Sequence, residues 1–415
     1  MKIKAPRGTH DILPAQSHAW QYAENLFQKI VWQYGYQEIR TPMFEDTELF
    51  LRSAGDTSEV VTKQMYSFKD KGDRDITLKA EGTAPAVRAY LEHNLGEQGT
   101  MTRLWYRTPV FRYERPQTGR YRQHHQLGIE CLGSSSPLAD AEVIEIAMRF
   151  YRELGLENLS VSLNSIGKAQ TRAAYREALL KHGHAYLSDL GEEDRQKAEK
   201  NPLRLLDSKD PKAIEAFSDA PSIQDFLEDV SKIHADVLQS ALLSAGIPFT
   251  VNPSIVRGLD YYNDTVFEIL SGEIGSQSAI CGGGRYDGLV KGFGGPVTPA
   301  VGFGMGIERM LLVLEATGKI VPSPTPDAYL VAATDSARMP LISLARNLRQ
   351  QGFSVGMDLD GKNLKAQFKA ADRSNARFAI VLGDDEIASR TVSLRDLQAS
   401  QQTTIKMEDL PNALR

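Results

Sequence analysis

Cysteine is nearly absent. The 415 residues hold two, Cys131 and Cys281, far apart and without metal-ligand spacing. That excludes a disulfide framework and points to two free thiols in a reducing compartment. No apolar run approaches the ~20 residues that a membrane-spanning helix needs. The opening stretch MKIKAPRGTHDILPAQ lacks the apolar core of a secretion signal, so the expected location is the cytoplasm, with no membrane partner. A basic excess is missing too: the net charge is −5, and any nucleic-acid contact must use local basic patches. Internal repeats and low-complexity tracts are lacking, as is a glycine-rich phosphate loop ending in Gly-Lys-Ser/Thr. The glycines of GFGMGIER, Gly302, Gly304 and Gly306, are spaced wrongly for a dinucleotide fingerprint.

What is present is the composition of a soluble globular protein, 41% hydrophobic and 24% charged. The length suits two or three domains. Pro322, Pro324 and Pro326 stiffen a segment that cannot be helical, and we place a linker at 321–327. Beyond it, 328–415 alternates strands (DAYLVAAT, FSVGMDL, FAIVLG, TVSLRDL) with helices at 337–351 and 363–375. That pattern predicts a small α/β domain with a largely parallel sheet. Residues 1–320 differ. A helix is expected over 20–34, and β-rich stretches at about 103–113, 123–133, 261–270 and 277–281. A closing helix carries Ile307, Met310, Leu311 and Leu314. The expectation is an α+β domain, an antiparallel sheet flanked by helices. The charged helical stretch at about 168–245 reads as an insertion.

Six arginines, Arg103, Arg107, Arg112, Arg115, Arg120 and Arg122, crowd RLWYRTPVFRYERPQTGRYRQ with one acid, Glu114. Arginine's fork suits phosphate and carboxylate. A solvated basic hairpin is equally compatible. In the next strand, QHHQLGIECLG, alternation puts His124, Gln126, Gly128 and Glu130 on one face and Leu127, Ile129 and Cys131 on the other. The first face suits a polar ligand, or else a wet sheet surface. Glu81, Gly82 and Thr83 precede a helix with Pro85 in its first turn. Thr83 would cap that helix, or Glu81 would meet an ammonium group. Arg309 falls in the first turn of a helix, where a cation is locally unfavourable by roughly 0.3–1 kcal/mol. A bound polyphosphate would explain it.

VRGLDYYNDTVFEI and CGGGRYDGL resemble segments particular to the histidyl-tRNA synthetases, and the likeness runs from APRGTHDILP to the last strands. FRYERPQTGRYRQHHQLGIE is similar to class II synthetase motif two and GFGMGIERM to motif three. FQKIVWQYGYQEIRTPMFE is similar to motif one, the dimer-interface helix and strand. The resemblance implies a class II antiparallel catalytic sheet, a helical insertion and a C-terminal α/β anticodon-binding domain. It implies ATP-dependent activation of L-histidine to histidyl-adenylate and transfer to the 3′ end of tRNA(His), with Mg²⁺, by a homodimer. Arg112, Arg257 and Arg309 then match the catalytic positions, the first two at the α-phosphate and Arg309 at the γ-phosphate. Glu81, Gly82, Thr83 and Gln126 would hold the α-amino end of histidine. Glu130 and Tyr262 would read the imidazole, with Tyr261 and Tyr286 lining the pocket and Arg112 and Arg257 also among the histidine-binding residues. Glu114, Arg120 and His124 would join Arg112 and Arg309 on ATP. Arg115 and Gln117 would meet the acceptor end of tRNA. By spacing alone, Lys365, Lys369, Arg373 and Arg377 form a basic stripe on a helix whose buried side is Leu364, Phe368 and Ala371; that stripe suits tRNA phosphates, and an ordinary solvated face is equally compatible.

Two departures stand out. Lys79 and Ala80 occupy places where the family usually has Arg-Pro. His124 replaces the usual adenine-stacking phenylalanine. A regulatory relative of the family that charges no tRNA is the main rival, and it would generally lack the C-terminal domain and active-site residues.

Overall fold

The computed structural model describes residues 3–415 except 55–57, 59, 98, 100, 187–189, 193, 196–201, 207–209, 256–258, 260, 274–278, 320 and 322. The chain divides into two compact units, Met1–Val321 and Pro322–Arg415.

Trp20, Ala23, Phe27, Ile30 and Val31 form one helical stripe, and they become the buried face of α1 (Pro14–Gln33). Gly35, at φ 78°, turns the chain out of it. There follow β1 (Gln37–Glu38), β2 (Phe44–Asp46), α2 (Thr47–Ala54), β3 (Tyr66–Lys69), β4 (Asp75–Leu78) and α3 (Thr83–Glu92). Next come β5 (Thr102–Phe111), β6 (Gln123–Leu132), α4 (Pro137–Glu153), β7 (Leu159–Ser165), α5 (Ala169–His184), α6 (Pro211–Ala216) and α7 (Asp229–Ser244). The unit ends with β8 (Phe249–Val251), β9 (Asn263–Ser271), β10 (Ala279–Arg285), α8 (Leu289–Gly292), β11 (Ala300–Gly306) and α9 (Ile307–Ala316).

Among the described residues these strands build an eight-stranded sheet in the order β1-β5-β6-β11-β10-β9-β7-β8, and a separate small sheet β2-β4-β3. The two end pairs of the large sheet are parallel, and the inner pairs antiparallel. Strict alternation separates its faces. Leu127, Ile129, Cys131, Phe267, Ile269, Phe303 and Met305 join the main core. There the Phe27 ring meets Trp105, Phe150 and Phe303 edge-on at 6.0, 5.2 and 6.3 Å. The opposite face is floored by glycine. Tyr106, Gly128, Gly304, Gly282 and Glu268 face one another across five strands, and Leu104, Glu130, Gly302, Gly284 and Val266 form the adjacent row.

The insertion is shorter than the composition suggests. Tyr175, Leu179, Leu205, Phe217 and Ile223 make a core of their own. Helix α7, inside the stretch assigned to the insertion, instead puts Leu238 and Leu242 into the main core. Its next element, β8, is an edge strand of the main sheet, so the chain has already returned there.

The second unit comprises β12 (Ala328–Ala332), α10 (Arg338–Gln350), β13 (Val355–Met357), α11 (Leu364–Arg373), β14 (Phe378–Leu382), α12 (Asp384–Ser389), β15 (Thr391–Asp396), β16 (Gln402–Lys406) and α13 (Leu410–Leu414). Its sheet order is β13-β12-β14-β15-β16. The sheet is less parallel than expected: β12 pairs in parallel with β13 and β14, but β15 is antiparallel to both its neighbours. The link from Leu382 to Thr391 is shorter than the dozen or so residues a parallel crossover requires. On α11, Gln367 rather than Leu364 is buried. Its side-chain amide exchanges hydrogen bonds with the Ala332 backbone at 2.8 and 3.1 Å. Arg377 lies past the helix end and stacks on Phe378. No helix among the described residues is long and apolar enough to cross a membrane.

Candidate active site

Between β4 and α3, residues 79–82 form an irregular, wholly buried strip. Buried backbone groups off a ladder need specific partners, and here the partners are site residues. Arg112 Nε donates to the Ala80 carbonyl at 2.8 Å. The Gly82 N–H donates to Gln126 Oε1 at 3.1 Å. The Glu81 carboxylate accepts the Thr83 and Ala84 N–H groups, each at 2.7 Å. Glu81, not Thr83, therefore caps α3; Thr83 is already its first residue. The Thr83 hydroxyl bonds to the same carboxylate, which still has acceptor capacity for a ligand. Burial raises the Glu81 pKa, against the two N–H donors, Thr83 and Arg112.

Glu130 lies on the glycine floor and is fully buried. The Tyr106 hydroxyl donates to its Oε1 at 3.0 Å, and the Tyr286 hydroxyl to its Oε2. Glycine is sterically required around this pair: a Cβ at Gly82 or Gly128 would overlap the Tyr106 ring, and one at Gly302 the Glu130 carboxylate. Tyr261 and Tyr262 lie ring to ring at 4.6 Å, and Tyr261 meets Tyr286 edge-on at 5.6 Å. Arg285, beside Tyr286, is locked by Asp140 and the carbonyls of Ser134 and Ser136 at 2.8 and 3.2 Å. Sequence reasoning missed Tyr106. It faces the same side of β5 as Leu104 and Thr108, but its place opposite Gly128 depends on strand register.

Burial pushes the Glu130 carboxyl up to about 8, although hydroxyls from Tyr286, Thr83 and Tyr106 favour the charged form; Glu81 pushes it the same way as burial. A carboxyl raised in the folded state binds more protons there than in the unfolded chain between its ordinary 4.5 and about 8. Its contribution to stability is thus full below that window and lost as pH rises through it. Thermal unfolding at pH 5.5 and 8.5 should show this loss in the unliganded protein, and Glu130→Gln should reduce it. An identical pH dependence in both would contradict the assignment.

A second group of side chains is cationic. Arg112, just beyond β5, acts electrostatically on both Glu81 and His124. Burial, helped by Arg112 and His125, pushes His124 down to about 3, so its ring stays neutral at working pH. Arg309 is the third residue of α9, after the Gly306 cap. Burial and the neighbouring Arg120 guanidinium lower its pKa, opposed by Glu268 and Tyr151. Two guanidiniums thus crowd a helix N-terminus, which suits a polyanion. Glu308, also missed, ties α9 to β6. It accepts the His125 N–H at 3.0 Å and lies 2.8 Å from His125 Nδ1.

The arginine cluster does not act as one patch. Arg103 pairs with Glu142 at 3.2 Å and Arg107 with Glu24 at 2.6 Å, and Arg122 stacks 3.8 Å over Tyr113. Arg115 and Gln117 are exposed on the loop, which closes in a tight Gln117–Arg120 turn. Glu114 lies 3.9 Å from Arg120. Arg257 falls, with Gly258 and Asp260, outside the described residues. Lys365, Lys369 and Arg373 are exposed on α11 of the second unit. Among the described residues no group of three or more His, Cys, Asp or Glu is placed to hold a metal ion.

The histidyl-tRNA synthetase family model matches residues 8–310, and the anticodon binding domain model matches 327–415. A histidine–tRNA ligase of Picosynechococcus sp. is 50% identical over 408 residues, covering 98% of this chain and 96% of its own length. One from Caldanaerobacter subterraneus is 47% identical over 416 residues, covering 100% of both. The crystal structure of apo S. aureus histidyl-tRNA synthetase superposes with a TM-score of 0.84 at 37% identity, covering 100% of both chains. The glycine-floored antiparallel sheet, the α/β second unit and these full-length matches together make the chain a member of the histidyl-tRNA synthetase family, of class II, with a C-terminal anticodon-binding domain.

Proposed function

We propose that histidine is joined to tRNA(His) in two steps on the glycine-floored face of the main sheet. A histidine carboxylate oxygen attacks the α-phosphorus of ATP, the bond to the β-phosphate breaks, and pyrophosphate leaves histidyl-adenylate. A hydroxyl of the terminal tRNA ribose then attacks the acyl carbon and AMP departs. The observation that carries this reading is Glu130, a buried acid wedged between two tyrosine hydroxyls, on the same strand face as Gln126, whose side chain accepts from the strip that carries Glu81. An imidazole N–H would add a third donor to this carboxyl and favour its charged form against burial.

Glu130 and Tyr262 then read the ring nitrogens, Tyr261 and Tyr286 wall the pocket, and Glu81, Gln126 and Thr83 take the α-amino group. Arg112, and by resemblance Arg257, stabilise charge growing on the α-phosphate. Arg309 holds the γ-phosphate, with Arg120 and Glu114 beside ATP and His124 stacking on adenine. Mg²⁺ would be held mainly by the ATP phosphates. Arg115 and Gln117 suit the tRNA acceptor end, and Lys365, Lys369 and Arg373 its phosphates. Trp32 near the end of α1, and Met43, Phe44 and Phe68 in and around β2 and β3, are exposed apolar side chains. They support a homodimer through the motif-one segment, and the enzyme's place is the cytoplasm.

Incubated with unfractionated tRNA, ATP and Mg²⁺, the purified chain should attach histidine and no other amino acid. Charging with a different one would overturn the roles given to Glu130 and Tyr262.

A further inference from the structure

Lys79 is the anomaly left over. It is fully buried, although lysine is almost never found so. Its ammonium donates to the Thr41 carbonyl and to Thr41 Oγ1, both at 3.2 Å. The charged groups that act on it are Glu45 of β2 and Arg88 of α3, which pair with each other at 2.5 and 3.1 Å. Its backbone is held as firmly: the Lys79 N–H donates to the Met43 carbonyl at 3.0 Å, and the Phe111 N–H donates to the Lys79 carbonyl at 2.9 Å.

This residue begins the irregular strip that carries the site. The next carbonyl, Ala80, fixes Arg112; the next side chain is Glu81; the next N–H, Gly82, fixes Gln126. No ladder holds the strip in register, so its position depends on its anchors. Resting on the reading of Arg112 given above, we propose that Lys79 is a positioning residue for adenylate formation. Its ammonium, clamped on Thr41, sets the strip whose Ala80 carbonyl aims the Arg112 guanidinium.

Stability alone does not account for the lysine. Burial pushes its pKa down to about 8 from an ordinary 10.5, so the charged form is disfavoured by folding. The stability forgone is full below about pH 8 and is recovered as pH rises toward 10.5. An apolar side chain of similar volume is often neutral or stabilising at such a place. A group that weakens the fold yet stands where three site contacts originate is best explained by what it positions.

The test compares the full-length chain with Lys79→Met and Lys79→Arg, in histidine-dependent ATP–pyrophosphate exchange and thermal unfolding. Wild-type exchange is measured first, so failure of the reaction itself is seen separately. The proposal expects Lys79→Met to keep or raise Tm and leave the histidine KM within about twofold, while kcat falls about tenfold or more. Lys79→Arg, which keeps the donors, should restore most of kcat. Lys79→Gln, which keeps one donor and no charge, should fall between them; it replaces the methionine variant should that one not fold. Unchanged kcat in Lys79→Met, or in Lys79→Gln where that variant stands in, overturns the proposal. So does a kcat loss matched by an equal rise in KM, or one that follows a fall in Tm.

Discussion

Arg112→Ala should slow histidine-dependent pyrophosphate exchange by about 10²–10³-fold, the usual cost of removing one donor aimed at developing charge. The histidine KM should change far less. Arg112 Nε is already committed to the Ala80 carbonyl, so the terminal nitrogens are the part of the fork left to face a phosphate. That geometry is preset before ATP arrives, which is what makes such a group effective in the transition state. Arg112→Lys keeps the charge but not the planar fork, and should recover a minor part of the rate. Steady-state kinetics over both substrates checks this. Equal losses in kcat and in histidine affinity would show instead that Arg112 serves ground-state binding.

The second large effect concerns recognition. Glu130→Gln keeps the shape and both tyrosine contacts but removes the ionisable acceptor. It should lower kcat/KM for histidine by about 10³–10⁴-fold, because a site built to hydrogen-bond a polar substrate discriminates by that order when the match is lost. Tm should stay level or rise, since the amide relieves a buried acid whose pKa is pushed up to about 8. A drop in Tm with unaltered kcat/KM would make Glu130 a structural residue. Tyr286→Phe removes one hydroxyl from the same carboxylate and should show a weaker effect in the same direction.

Much of this was legible in the chain itself. The alternation in QHHQLGIECLG places Leu127, Ile129 and Cys131 in the core and Gln126 and Glu130 on the other face, and the structure agrees. The α+β sheet, the prolines after it and the alternating second unit follow from periodicity and breakers. What sequence could not show is what depends on partners remote in the chain. Tyr106 joins Glu130 through strand register. Glu308 joins His125 across 183 residues. Arg103 and Arg107 leave the cationic cluster because Glu142 and Glu24 meet them on helices. Glu81 was singled out as a ligand group, but its capping of α3 depends on where the helix starts, and boundaries are the weakest inference from pattern. The antiparallel β15, by contrast, was inferable: the link before it is too short for a parallel crossover.

The central claim is that one sheet face holds both an imidazole-reading pocket and a phosphate-binding set of arginines. ATP–pyrophosphate exchange without tRNA, run with each amino acid in turn, tests it most directly. The account predicts strong exchange with histidine alone, and its collapse in Arg112→Ala and Glu130→Gln. Exchange that is absent with histidine, or that survives both substitutions, would contradict it.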